Sequence, residues 1–404
     1  MEKTCNGWEV LNADDFRDLN PGDRVLMGPG PSDVPARTLQ AIAAPCIGHL
    51  DPYFLAIMSE TQKLLRALFQ TDNELTIPVS GTGSAGMETC FVNLVEPGDE
   101  VAVCDTGVFG TRMADIVKRI GGKLIRIDAE WGTAVDPEAV KRAIKGKTPK
   151  VIAVVHAETS TGVCQPLDDL ARISHDAGAL FLVDAVTSLG GMPVAVDALP
   201  IDAVYSGTQK CISCPPGLSP VTFGPAAVKA MERRKTPVVS WYLDLSMVRD
   251  YWGSERKYHH TAPINMIYGL REALRLIAEE GLNQLHTRHR LNHRELVAGI
   301  EAMGLAMLVP EAIRLPMLNA VRIPQGVDDL TVRKALLKDY GIEIGGGLGQ
   351  FAGKVWRIGL MGQSCRRKNV FLLLAALETV LSAQGYRPQP GALTATAAVY
   401  DAAC

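Results

Sequence analysis

Short runs rich in β-branched residues alternate with longer runs whose apolar residues recur near every 3.6 positions, and this continues through most of the 404-residue chain. Strands separated by helices pair in parallel, with the helices laid across the sheet faces. The pattern therefore predicts an α/β fold, a mainly parallel sheet sandwiched by helices. Candidate strands are Leu75 to Val79, Glu100 to Cys104, Val151 to Val155, Leu180 to Val183, Ala203 to Tyr205 and Ser219 to Phe223. Amphipathic segments lie between them, at Pro52 to Phe69, Phe109 to Ile120 and Leu167 to Ala177. With 47% hydrophobic residues, the chain can fill one large core and one smaller one.

After Gly281 the texture changes. A long polar helix, LNQLHTRHRLNHRELVAGIEAMG, precedes strand candidates Ala320 to Ile323 and Val355 to Ile358 and a helix from Lys368 to Ser382. The expected division is an N-terminal arm over 1–22, a large domain over 23–285 and a small C-terminal α+β domain over 286–404, with a poorly ordered Ala-rich tail from about 391. No apolar run reaches the roughly 18 to 20 residues of a membrane span, and Glu378 interrupts the longest. The net charge of −3 gives no basic footprint for nucleic acid or anionic lipid. An acidic N-terminus without an apolar stretch, and a C-terminal Ala-Ala-Cys that is no peroxisomal signal, lead us to expect a cytoplasmic protein. The nine cysteines, odd in number and scattered, read as reduced thiols.

Three motifs carry chemistry. Ser80-Gly81-Thr82-Gly83-Ser84 follows a strand candidate and opens a helix, where free N–H groups and hydroxyls suit a phosphate. Such a turn is commonly only a helix cap, and no Walker lysine follows. Asp184 ends an apolar strand, where α/β sheets build their ligand crevices, although an Asp there also caps helices. Lys210, in Ser206-Gly207-Thr208-Gln209-Lys210, follows the next strand and sits beside Cys211, Ile212 and Pro215, a poor setting for a freely solvated lysine. An anion cradle, a buried carboxylate and one reactive lysine together are the requirements of pyridoxal 5′-phosphate chemistry.

With those residues in place, LMGPGPSDVP, IGHLDP, SGTGSAGME, HAETSTGV, VDAVTSLGG, SGTQKCISCPPG, YHHTAP and VWRIGLMG resemble the class V, fold type I pyridoxal-phosphate aminotransferases, in particular the alanine:glyoxylate and serine:pyruvate group. The resemblance covers about residues 24 to 385. It implies that Lys210 carries the cofactor as a Schiff base and that Asp184 faces the pyridine nitrogen. By the same resemblance Phe109 stacks on the ring, while Thr82, Gly83 and Gln209 hold the phosphate. Ser84 stands where relatives carry His. Thr159 bonds the ring hydroxyl or a nearby group, and Arg357 grips the substrate carboxylate. Tyr258 and Thr261 are placed on the phosphate of a neighbouring subunit, which makes the enzyme a homodimer with composite sites. Independently of the family, an Arg between apolar strand neighbours needs an anionic partner.

Two clusters have plainer readings. Cys211-x-x-Cys214 lacks a second ligand pair, so no metal is expected. His286, His289 and His293, interleaved with arginines, read as one face of a solvated polar helix. The expected activity is a ping-pong transfer of an amino group from alanine or serine to glyoxylate or pyruvate. A single arginine aimed at the site favours small monocarboxylic substrates. The alternatives are a lyase or desulfurase reaction on the same fold, or a binding subunit without turnover. A desulfurase needs a reactive cysteine on a late mobile loop, and Gly345 to Gly349 contains none.

Overall fold

The computed structural model describes residues 16–402, so residues 1–15 of the expected arm lie outside the described residues. In chain order, β1 (Val25–Leu26), α1 (Ala36–Ile42) and α2 (Pro52–Phe69) lead into β2 (Leu75–Ser80), α3 (Gly83–Leu94), β3 (Glu100–Asp105), α4 (Val108–Arg119) and β4 (Lys123–Asp128). Then come α5 (Pro137–Ile144), β5 (Val151–Val155), the small hairpin of β6 (Ala157–Glu158) and β7 (Val163–Cys164), α6 (Asp168–Asp176), β8 (Leu180–Asp184), β9 (Ala203–Tyr205) and β10 (Leu218–Phe223). Four helices follow, α7 (Pro225–Glu232), α8 (Leu245–Trp252), α9 (Ile264–Glu280) and α10 (Leu282–Ala302). The chain ends with β11 (Leu318–Arg322), α11 (Asp329–Tyr340), β12 (Ile342–Glu343), β13 (Gly345–Gly346), β14 (Val355–Gly359), α12 (Arg367–Ala383) and α13 (Ala392–Asp401).

The central sheet has the order β2-β10-β9-β8-β5-β3-β4, and β10 alone runs against the others. This is the mainly parallel α/β sheet that the alternation predicts. β5 reads Val-Ile-Ala-Val-Val and is buried throughout, as a strand covered on both faces must be. β4, absent from the strand candidates, is one of the two edge strands; its exposed Lys123, Arg126 and Asp128 interrupt the apolar residues and mask a strand pattern. α2 starts where the Asp51 side chain accepts from Tyr53 N–H at 2.8 Å with Pro52 at the first helical position, and it stops at Gln70 in the left-handed region.

A second core forms around Met27, Trp356, Ile358, Leu373 and Leu377. It takes in β1, which pairs in parallel with β12, so residues 25–27 pack with the C-terminal elements and not with the large sheet as expected from sequence. A two-residue strand has no hydrophobic period to declare its partner. The C-terminal segment also departs from expectation. Instead of a loose tail, Ala392–Asp401 is a helix against α10, with Ala392 and Thr396 buried and Thr396 Oγ1 donating to the Glu295 carbonyl at 3.1 Å. An Ala-rich stretch has high helix propensity, and Gly299 allows the close approach, since a Cβ there would lie 2.6 Å from Thr396 Oγ1.

The histidine face of α10 is not solvated. His286 and His289 are buried against the C-terminal core, and His293 Nδ1 lies 2.7 Å from Asn319 Oδ1. His289 Nδ1 donates to the Leu285 carbonyl at 2.8 Å while its Nε2 accepts from Gly362 N–H at 3.0 Å. This arrangement needs the neutral ring, and burial pushes the His289 pKa down to about 3. Arg288 beside it fastens the same loop, donating to the Gly362 and Cys365 carbonyls. Hydropathy alone made this helix look solvent-facing; its polar groups instead satisfy loop backbone groups.

Candidate active site

Because β2, β3, β5, β8 and β9 are mutually parallel, their C-terminal residues gather along one sheet edge. A cavity of about 130 Å³ opens there. Thr82, Gly83 and Ser84 line it from the start of α3, Phe109 from the first turn of α4, and Thr159 from the turn after β6. Asp184 enters from the end of β8, and Gln209 and Lys210 from the loop after β9. The structure thus brings eight of the eleven sequence-predicted site residues to one space. A larger cleft of about 1140 Å³, lined by Asp72, Glu74 and Asp197 among others, contains none of them.

Asp184 is 3% exposed. Tyr205 Oη donates to its Oδ2 at 2.6 Å and Val186 N–H to its Oδ1 at 2.8 Å. Burial pushes the carboxyl up to about 6, against the pull of those two bonds and of the positive charges of Lys210 and Arg112. Lys210 is 8% exposed, and burial brings its pKa down to about 8. No carboxylate pairs with it among the described residues; its Nζ donates to the Pro29 carbonyl, and its own carbonyl accepts from Ser32 Oγ at 2.7 Å. The Gly-Pro-Gly-Pro-Ser segment is therefore a wall against the lysine. Gly30 has φ +103°, and a Cβ there would lie 2.5 Å from Lys210 Nζ, so only glycine serves.

Arg357 comes from β14 across the junction of the two cores. Its Nε donates to the Gly346 carbonyl at 2.7 Å and its Nη1 to the Thr159 carbonyl at 3.2 Å. Two backbone carbonyls thus aim the guanidinium at the Thr159 wall, and its remaining N–H groups have no carboxylate partner among the described residues. Tyr258 and Thr261 are not brought to the cavity of their own chain. Tyr258 is 55% exposed, with its ring 5.0 Å from that of His49 and its hydroxyl 3.5 Å from Thr261 Oγ1.

Several contributors escaped the sequence reading. Tyr205 is the cross-strand register partner of Asp184, a relation visible only once β8 and β9 are paired. Arg112 also lines the cavity, so the site has a second arginine where one was expected. It lies one helical turn after Phe109, with its guanidinium carbon 5.0 Å from the centre of that ring and Nη1 donating to Ser84 Oγ at 3.1 Å. The i, i+3 spacing was the available signal. His260 Nε2 is 3.0 Å from Ser80 Oγ, at the mouth of the Gly-rich turn. Cys211 and Cys214 are buried, desolvation pushes both thiols up to about 12, and the Cys211 thiol donates to the Thr187 carbonyl at 3.3 Å.

The site's chemistry has relatives. Residues 30–365 match the family model for class V aminotransferases. A ureidoglycine–glyoxylate aminotransferase from Bacillus subtilis, known from a crystal structure, superposes with a TM-score of 0.93 at 43% identity, covering 95% of this chain and 100% of that one. An alanine–glyoxylate aminotransferase structure from Nostoc sp. gives a TM-score of 0.90 at 47% identity, over 93% and 100%. The alanine–glyoxylate aminotransferase of Callithrix jacchus is 39% identical over 91% of this chain and 89% of its own. With an aspartate and a buried, unpaired lysine on one cavity at the ends of parallel strands, the chain belongs to the class V aminotransferases, pyridoxal-phosphate-dependent enzymes of fold type I.

Proposed function

We propose that this chain transfers an amino group from a small amino acid, alanine or serine, to glyoxylate. The observation that carries this reading is that Asp184 and the unpaired Lys210 line one cavity, and that Arg357 donates to the carbonyl of Thr159, another lining residue. Pyruvate is the other acceptor expected. The residues fit the cofactor: Gln209 Oε1 lines the cavity, buried without a partner among the described residues. The N-terminus of α3, with Thr82, Gly83, Ser84 and Gln209, would hold the phosphate, and Phe109 and Thr159 the ring.

Pyridoxal phosphate, when bound, supplies an aldehyde that captures amines and a ring that draws electrons from the substrate α-carbon. The chain supplies the rest. Lys210 holds the cofactor at rest, and its amine, once freed, takes the proton from the substrate Cα. A Lys210 pKa near 8 leaves a useful fraction neutral at physiological pH. Asp184 gives the pyridine nitrogen a carboxylate to hold its proton against, and Tyr205 and Val186 keep that carboxylate oriented. Arg357 fixes the substrate carboxylate, and the cycle runs in two halves, donor first and acceptor second. A donor with a longer polar tail, like the ureidoglycine of the Bacillus subtilis relative, is the second reading; Arg112, which has no carboxylate partner among the described residues, favours it.

The same reading takes the protein as a cytoplasmic homodimer of two-domain subunits, divided near residue 285, with Tyr258 and Thr261 reaching the partner's phosphate site. The exposure of Tyr258, together with that of Trp241, supports it. No helix among the described residues is long and apolar enough to cross a membrane. The test loads the protein with pyridoxal phosphate and supplies alanine with glyoxylate, or serine or ureidoglycine with glyoxylate or pyruvate, scoring the glycine or alanine formed from the acceptor. Glycine from alanine or serine supports the reading; glycine from ureidoglycine alone moves it to the second; no product from any pair ends both.

A further inference from the structure

Helix α4 carries Phe109 and Arg112 into the site, yet it cannot cap itself. Its N-cap is Gly107, which has no side chain, and the first N–H groups of a helix find no acceptor within it. The caps arrive from a different segment. Glu158 Oε2 accepts from Phe109 N–H at 3.2 Å, and Ser160 Oγ accepts from Val108 N–H at 3.0 Å. Glu158 Oε1 in turn accepts from Ser160 Oγ at 2.6 Å and from Ser160 N–H at 3.0 Å. The approach is close enough that a Cβ on Gly107 would lie 2.4 Å from Ser160 Oγ and 2.7 Å from Glu158 Cδ. Between these two residues sits Thr159, whose carbonyl receives Arg357 Nη1.

We propose that Glu158 is a positioning residue: by tying the first turn of α4 and the 158–160 turn into one hydrogen-bonded unit, it sets Phe109 and Arg357 in fixed relation to each other across the cavity. The inference rests on the reading of Phe109 as the cofactor's ring wall and of Arg357 as the substrate's carboxylate grip. Glu158 is fully buried, with no Lys or Arg at ion-pair distance among the described residues. Packing alone would be served better by an apolar side chain, since burying an unpaired carboxyl is costly. Its cost is visible as a carboxyl pushed by burial up to about 7. The unit also reaches Arg357 electrically, because the Glu158 charge works against the desolvation that lowers the arginine's pKa.

The test measures two affinities that need no turnover. Pyridoxal phosphate is titrated into the apo-protein by absorbance. Propionate, a carboxylate without an amine, is then titrated into the loaded protein by the shift in the bound cofactor's spectrum. Glu158→Ala is expected to weaken both by about 10-fold or more, while Glu158→Gln, which keeps one oxygen for Phe109 N–H, recovers part of each. Glu295→Ala, which removes a buried carboxylate from α10 of the second core, is expected to lower thermal stability and leave both affinities unchanged. If Glu158→Ala does not fold, Glu158→Gln and Ser160→Ala carry the test, with losses of about 3-fold in each affinity expected. Folded Glu158 and Ser160 variants within 2-fold of wild type in both titrations, or equal losses in Glu295→Ala, overturn the proposal. A wild-type protein that takes up no pyridoxal phosphate overturns the functional reading and this inference together.

Discussion

Tyr205 and Asp184 are register partners on adjacent parallel strands, and the tyrosine hydroxyl closes the pair by donating to Asp184 Oδ2 at 2.6 Å. The carboxylate is thereby aimed by the sheet itself. Both residues are strand-terminal and buried, so the hydroxyl offsets part of the desolvation that pushes the Asp184 pKa up to about 6.

Tyr205→Phe is expected to leave the fold intact and weaken cofactor affinity by about 10-fold, because a hydrogen bond to a charged group contributes roughly 1.5 to 3 kcal/mol. Asp184→Asn removes the charge and is expected to slow the first half-reaction by orders of magnitude in a protein of wild-type circular dichroism. Titration of the apo-protein with pyridoxal phosphate reads the first and stopped-flow absorbance with alanine the second; an unchanged cofactor affinity in Tyr205→Phe, or wild-type rates at saturating cofactor in Asp184→Asn, would remove the role assigned to that residue.

Lys210→Ala is expected to abolish turnover, since no other lysine lines the cavity. Borohydride treatment of the loaded wild type, followed by peptide mapping, should place the label on Lys210. A label on a different lysine defeats the assignment.

Arg357→Lys keeps the charge but loses the planar fork that the Gly346 and Thr159 carbonyls aim. A lost charge-assisted grip of this kind costs on the order of 2 to 4 kcal/mol, so kcat/KM for alanine is expected to fall roughly 30- to 1000-fold with little change in cofactor affinity. A lower melting temperature with kcat/KM within about 3-fold of wild type would make the arginine a strut between its two carbonyls.

If Tyr258 and Thr261 complete the partner's site, a Lys210→Ala chain mixed with a Tyr258→Phe/Thr261→Ala chain should regain activity. The first lends its tyrosine and threonine to the second's intact lysine, restoring one site in the mixed dimer. A confirmed heterodimer no more active than either parent would exclude both residues from a shared site.

His289 links stability to pH. Its folded pKa lies near 3, below the ordinary value of 6.5, so between these values the unfolded chain binds the extra proton. Its contribution is present above pH 6.5 and lost as pH falls toward 3, at up to about 1.4 kcal/mol per pH unit. His289→Gln should flatten, without abolishing, the fall of the urea midpoint between pH 6.5 and 4.5, since burial also lowers His156, to about 4, and His260, His286 and His293. An unchanged slope would mean that the ring is protonated in the folded protein.

The sequence by itself determined the parallel sheet, because buried strands such as Val151–Val155 carry a continuous apolar run that only a two-sided sheet can cover. It also marked Asp184, Lys210 and the Ser80–Ser84 turn, since each follows a recognisable strand and strand ends are where a parallel sheet leaves its crevice. Tertiary structure alone decided the pairing of Tyr205 with Asp184, the capping of α4 by Glu158 and Ser160, and the seating of Gly30 against Lys210. It also decided that the His286/His289 face is buried and that residues 25–27 join the second core. The physical reason is common to them all. Hydrophobic period is a local property written along the chain, whereas a polar group's partner is chosen by whichever backbone or side chain the finished packing brings within about 3 Å.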